Sequence, residues 1–149
     1  MYKMTKTYGN DRGFSCCFRQ WRAIHSHCSL LHGYSLGFKF TIVSENLNEC
    51  NWVFDFGSFT PVKQFLGKWF DHTLVIAEDD PDRQVLEMLA SKHVANVKIM
   101  EHVGCEKFAE FVFNKTKEMI ESSENDVHLE SVEVFEHGAN SAIYQPKRD

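Results

Sequence analysis

Residues 34–43 alternate between two faces. Tyr34, Leu36, Phe38, Phe40 and Ile42 fall on one side, and Ser35, Gly37, Lys39, Thr41 and Val43 on the other. A period of two predicts a strand. His32 shares parity with Tyr34, so both point to the apolar face if the strand starts that early. Residues 12–20 read as a preceding strand. The stretch NLNECN reads as a turn and WVFDF as a short strand after it. FGSFTPVKQFLGKWF changes the period. Val62, Phe65, Leu66 and Trp69 fall at helical spacing, Pro61 sits at an early helical position, and Ser58 or Thr60 can cap the helix. EDDPD reads as a solvated acidic turn, because the oxygen-ligand spacing of a calcium loop is missing. A short helix follows over 82–91, a short strand at VKIM, and a long helix over 105–121. That long helix carries Cys105, Phe108, Ala109, Val112, Met119 and Ile120 on one stripe. Residues 127–136 form the last strand. Strands and helices without regular alternation predict an α+β fold.

No repeat, low-complexity tract or Pro/Gly linker divides the chain, and 149 residues suit one domain over 1–149. A net charge of -5 argues against nucleic acid as the main partner, since phosphate binding needs a basic face. No apolar run reaches the length of a membrane span, so no membrane role is expected. The first residues, MYKMTKTYGNDRG, lack the apolar core of a secretory signal. The five cysteines are an odd number without a CxxC pair, which suits reduced thiols in a cytoplasmic setting.

Chemistry gathers in three places. The stretch HSHCSLLHGYS packs His25, His27, Cys28 and His32 into eight residues. Imidazole and thiolate are common zinc ligands, and a tetrahedral site takes three or four of them. The spacing matches no common zinc module, so a polar loop with one or two hydrogen-bonded histidines stands beside the metal reading. Asp71-His72 is the second place. A carboxylate beside an imidazole fixes its tautomer and raises its basicity, although neighbouring residues meet directly only in a turn. Glu136-His137 is the third. Alternation groups Glu136 with Val132 and Val134, where a carboxylate needs a partner such as a ligand with two N–H donors. An exposed strand-end glutamate is the competing reading. Asp55-Phe56-Gly57 is set aside as a kinase magnesium motif, since no glycine-rich loop or HRD motif accompanies it.

Taken in order, FSCCF, C-S-L-L-H-G-Y, WVFDF, FDH, GCEKFA and VEVFEHG…AIY resemble the 6-pyruvoyl-tetrahydropterin synthases. The likeness is closer to the bacterial 6-carboxy-tetrahydropterin synthases of the queuosine (7-deazapurine) pathway, and covers roughly residues 12–145. The resemblance implies a T-fold: a four-stranded antiparallel sheet with two helices on one face. It implies homo-oligomeric barrels, a hexamer made as a dimer of trimers, with active sites between subunits. It implies a lyase acting on 7,8-dihydroneopterin triphosphate, a small-molecule pterin substrate. Cys28 falls on the family's catalytic cysteine, and Asp71-His72 on the pair that completes its proton-transfer triad. Glu136 falls on the glutamate that anchors the pterin ring, and Glu106, within GCEKFA, is a second substrate-binding position.

The resemblance also implies zinc held by three histidines, and here the sequence departs from the pattern. Phe18 stands at the histidine of the family's Phe-x-Ala-Ala-His motif. Tyr34 stands at the second histidine of His-Gly-His. His32 alone remains. His27, next to the catalytic position, is the expected substitute ligand; alternatively, Tyr34 places a hydroxyl where the metal would polarise the substrate. Three functions therefore stand open: the lyase, a related pterin enzyme with altered and metal-independent chemistry, and a non-catalytic pterin binder. The joint presence of Cys28, Asp71 and His72 argues against the last.

Overall fold

The computed structural model describes residues 1–122 and 125–147. Among them are seven strands: β1 (Tyr2–Tyr8), β2 (Phe14–Phe18), β3 (His32–Ser44), β4 (Thr73–Ala77), β5 (Val97–Met100), β6 (Val127–His137) and β7 (Asn140–Tyr144). Three α-helices join them: α1 (Thr60–Phe70), α2 (Arg83–Ser91) and α3 (Cys105–Ile120). The fold is α+β, as the sequence predicts, but the expected four-stranded antiparallel sheet with two helices is corrected. The sheet runs β5-β4-β2-β3-β6-β7, with β1 also on β3. It is mixed, because β4 lies parallel to both β2 and β5.

The long strand β3 organises this sheet. Its first residues pair with β2, Phe18 opposite His32 and Cys16 opposite Tyr34. Its remainder lies between β1 and β6. The predicted alternation holds: Leu36, Phe38, Phe40 and Ile42 are all buried. They face α1 and α3 through a series of aromatic contacts. Ring centroids are 5.1 Å apart for Phe38–Phe70, 5.2 Å for Phe70–Phe108 and 5.0 Å for Phe18–Phe108. Edge-on and tilted pairs of this kind add about 0.5–1.5 kcal/mol each beyond their buried area.

The second sheet face explains β4. Leu74 and Ile76 pack with Leu86 of α2, while Val75 and Ala77 join the main core. All five residues of β4 are buried, so the strand has no polar face and no alternation to read. WVFDF, expected as a strand, is instead a bend leading into a 3₁₀ turn, Phe56–Phe59, whose Gly57 N–H donates to Asp55 at 2.8 Å. Thr60 opens α1 rather than capping it, and its hydroxyl donates to the Gly57 carbonyl. On α3, Met119 is exposed and Phe113 and Thr116 are buried in its place.

The acidic turn is not merely solvated. Asp80 is buried, and Arg19 grips it with two hydrogen bonds of 2.8 and 2.6 Å. The guanidinium holds the Asp80 carboxyl below the usual carboxylate range. Arg19 also reaches Asp82, and Asp79 accepts from Trp21 and Arg22. The turn after β4 is thereby fastened to the segment after β2. No helix among the described residues is long and apolar enough to cross a membrane.

Candidate functional site

Glu136 lies near the end of β6, at an irregularity in its pairing with β7 between Phe135 and His137. It is half-buried. Two neighbours lie beside its carboxylate: the Tyr34 phenol from β3 and the Cys105 thiol from the first residue of α3. Burial pushes the Cys105 thiol up to about 12, and the negative Glu136 and Glu106 add to the shift. Burial also raises Tyr34, with Glu136 and then Cys28 adding. Both groups stay protonated near neutral pH, so each keeps a proton beside the carboxylate. The carboxylate's remaining acceptor capacity suits N–H donors of a ligand. Glu106 sits in the first turn of α3, where the positive helix end favours a negative charge.

Cys28 sits in a 3₁₀ turn, His27–Ser29. Ser26 starts the turn by accepting from the Cys28 N–H at 3.2 Å. The carbonyls of Cys28 and Ser29 accept from the Gln20 backbone N–H at 2.7 Å and from Arg19 Nη1 at 3.3 Å. The backbone is therefore held while the thiol of Cys28 is exposed, as are His25 and His27.

His32 is held between rings. Its centroid lies 5.2 Å from Phe18 and 5.4 Å from Tyr34. Its Nδ1 meets the Leu30 carbonyl at 2.7 Å. A carbonyl only accepts, so Nδ1 carries the proton and Nε2 is left with a free lone pair. That half of a ligand's preparation is present. The rest of a zinc site is not. Phe18 is 2% exposed, packs on Phe108 and offers no donor atom. Among the described residues, no three His, Cys, Asp or Glu side chains gather in a way that could hold a metal. The expected zinc set of His32 and His27 thus does not fit the residues present.

Asp71 and His72 meet directly, because His72 adopts a left-handed backbone with φ 55°. Its Nδ1 lies 3.0 Å from Asp71 Oδ1, which also accepts from the Ser15 N–H at 3.2 Å. Here too the carboxylate assigns the proton to Nδ1 and leaves Nε2 as a base. The His72 ring is mostly exposed, and it lines a surface depression with Ser15, Gly33, Tyr34 and Leu31. Tyr34 thus links the His72 depression to Glu136. From the Cys28 loop, Leu31 reaches this depression and Cys28 does not.

Three residues here carry contacts that the sequence pattern does not show. Cys105 belongs by spacing to the core stripe of its helix, and it does lie there, yet its thiol meets Glu136. Gln20 and Arg19 belong to no motif. An arginine two residues after paired cysteines and a DDPD turn carry complementary charge, which is the available signal for the second.

The model of the family described as 6-pyruvoyl tetrahydropterin synthase matches residues 9–147. A 6-carboxy-5,6,7,8-tetrahydropterin synthase of Aquifex aeolicus is 27% identical over 150 residues, covering 97% of this chain and 89% of that protein. Among solved structures, an uncharacterized protein of Wolinella succinogenes superposes with a TM-score of 0.82 at 18% identity, covering 98% of both chains. The 6-pyruvoyl tetrahydropterin synthase of Caenorhabditis elegans superposes with a TM-score of 0.67 at 16% identity, covering 98% of this chain and 96% of that one. With its family match running over nearly the whole length, the chain belongs to the 6-pyruvoyl tetrahydropterin synthase family and is a lyase of that type.

Proposed function

We propose that this protein converts 7,8-dihydroneopterin triphosphate to 6-carboxy-tetrahydropterin, a precursor of 7-deazapurines. The observation that carries the reading is the half-buried Glu136 carboxylate on β6, with the Tyr34 phenol and the Cys105 thiol at the start of α3 beside it. This is an anchor for the N–H edge of a pterin ring, with Glu106 as a second contact. Cys28, as thiolate, takes a proton from a carbon of the substrate's propyl substituent. His72, its tautomer set by Asp71, shuttles protons through Nε2. Triphosphate leaves by elimination, one water adds to the side-chain carbon attached to the ring, and the carbon–carbon bond beyond that carbon breaks, leaving a carboxylate on the reduced ring and releasing acetaldehyde. Exposed edges at β5 and β7 favour association of copies, as a hexameric dimer of trimers. In such an assembly the Cys28 and His72 of one site can come from different subunits.

A second reading is favoured by one observation. Phe18 and Tyr34 flank His32 where the family's zinc ligands would be, so hydroxyl acidification by a metal needs a substitute. Tyr34, beside Glu136, is that substitute in a metal-independent reaction on a related pterin.

The test is turnover of 7,8-dihydroneopterin triphosphate, with products identified by mass spectrometry. The expected products are 6-carboxy-tetrahydropterin, acetaldehyde and triphosphate, and Cys28→Ala abolishes their formation while pterin affinity stays within about twofold. A different pterin product selects the second reading. Pterin binding with no turnover under any metal condition would sink both and leave a binder.

A further inference from the structure

We propose that Gln20 is a positioning residue that sets the Cys28 thiol against the amino terminus of α3. The proposal rests on the reading of Cys28 as the proton-abstracting group. Gln20 makes two hydrogen bonds in different directions. Its backbone N–H donates to the Cys28 carbonyl at 2.7 Å. Its carboxamide Nε2 donates to the Val103 carbonyl, also at 2.7 Å. One residue therefore ties the loop that carries Cys28 to the turn that opens into Cys105 and Glu106. Cys28 itself is exposed, so packing around its thiol does not fix it. Its place in space is set by its backbone, and Gln20 holds that backbone.

The turn at α3 is shaped around this amide. Gly104 has a φ of 111°, a conformation that residues with a β-carbon rarely adopt. A β-carbon there would also collide with Gln20 Nε2. The bare Cα at 104 lets the amide lie over the turn and reach Val103. Arg19 completes the hold one residue further on, through the Ser29 carbonyl, and is itself fixed by Asp80. Leucine ends one bond short of the glutamine Nε2 and has no donor, so Gln20→Leu cuts the tie to Val103 and spares the backbone bond to Cys28. Proton abstraction needs heavy atoms within about 2.6–3.2 Å, and a displacement of about 1 Å can cost about a hundredfold in rate.

The test measures two things in wild type, Gln20→Leu and Gln20→Glu, the last keeping the shape of glutamine should leucine impair folding. The first is kcat and KM for dihydroneopterin triphosphate. The second is the rate at which iodoacetamide alkylates Cys28, read by peptide mass spectrometry with the exposed Cys50 as internal reference. The expected result is a kcat at least about tenfold lower with KM within about threefold. The Cys28 alkylation rate is expected to change by at least about threefold while that of Cys50 holds, as for a thiol whose surroundings alone have moved. A folded variant with unchanged kcat, or with unchanged alkylation at Cys28, overturns the proposal. Full turnover by Cys28→Ala would remove the underlying reading instead. Lost turnover in Cys28→Ala with kcat intact in Gln20→Leu would remove this proposal alone.

Discussion

Phe18 and His32 face each other across β2 and β3 as register partners, with ring centroids 5.2 Å apart. Tyr34 closes the other side of the imidazole at 5.4 Å. The pairing puts an apolar ring and a phenol where two further imidazoles would complete a three-donor set. Phe18→His with Tyr34→His should therefore raise zinc affinity by at least about tenfold over wild type, because structural zinc needs three or four converging N or S donors. Metal content after dialysis against a weak chelator series checks this. Equal zinc retention by wild type and double variant would show that the donors lie elsewhere.

Glu136 should dominate ligand affinity. Charge-assisted hydrogen bonds are worth about 1.5–3 kcal/mol each, so Glu136→Ala is expected to weaken pterin binding by about tenfold or more. Calorimetry with a non-reactive pterin measures it. An unchanged dissociation constant would remove Glu136 from the site.

The Arg19–Asp80 pair makes a stability prediction. The Asp80 side chain is only 2% exposed, and losing one partner of a buried pair costs about 3 kcal/mol or more. Asp80→Ala should lower the urea midpoint accordingly. The pH dependence follows from the depressed carboxyl of Asp80. Its contribution is present above the ordinary carboxylate range and is lost as pH falls through the lower, folded-state value. Denaturation followed from neutral to acid pH should show a shallower acid loss in Asp80→Asn than in wild type. Parallel curves would exclude the pair as a source of the acid sensitivity.

His93 ends α2 in a left-handed conformation, φ 57°. The N–H of Val94 bonds the Leu89 carbonyl and that of His93 the Ala90 carbonyl, the paired pattern of a helix terminated by a left-handed residue. Glycine adopts this conformation without a Cβ penalty, so His93→Gly should stabilise the protein by about 0.5–1 kcal/mol. Thermal unfolding would reveal a lower midpoint if the imidazole of His93 holds contacts that outweigh the strain.

Light scattering at micromolar concentration is expected to give a hexamer. A monomer at that concentration would contradict the assembly reading and leave the catalytic residues to be judged within a single subunit.

Legibility in the sequence follows how each element is buried. β3 buries one face in its central part, and its alternation is plain. α1 and α3 show one apolar stripe each, and their spacing predicts spans within a residue or two of those observed. β4 is covered on both faces and shows no period of two, whereas β1 does alternate, with Met4, Lys6 and Tyr8 half-buried and Lys3, Thr5 and Thr7 exposed, but Lys6 interrupts its apolar side. The four-stranded antiparallel sheet comes from the family resemblance, and the observed sheet is larger and mixed because β4 adds in parallel beside β2 and β5. At the candidate site, the Asp71-His72 contact is readable up to the need for a turn, and the φ of His72 supplies that turn. The role of Cys105 is hidden because a thiol counts as apolar in a helical stripe. Gln20 is hidden because its two partners lie at Cys28 and Val103, a distant meeting that local pattern does not encode.

The placement of β6 has a consequence for the order of assembly during synthesis. β1, β2 and β3 come from the first 44 residues and pair among themselves. The other edge of β3 waits for β6, with Gly37 pairing to Phe135 and Ser44 to Val127. Until those residues emerge, Leu36, Phe38, Phe40 and Ile42 lie beside an open ladder, the kind of edge that recruits a neighbouring nascent polypeptide. Glu136 arrives on the same strand that closes this edge. The growing polypeptide thus acquires its ligand anchor only as the open edge of β3 is covered, so a truncated product has neither the anchor nor that protection.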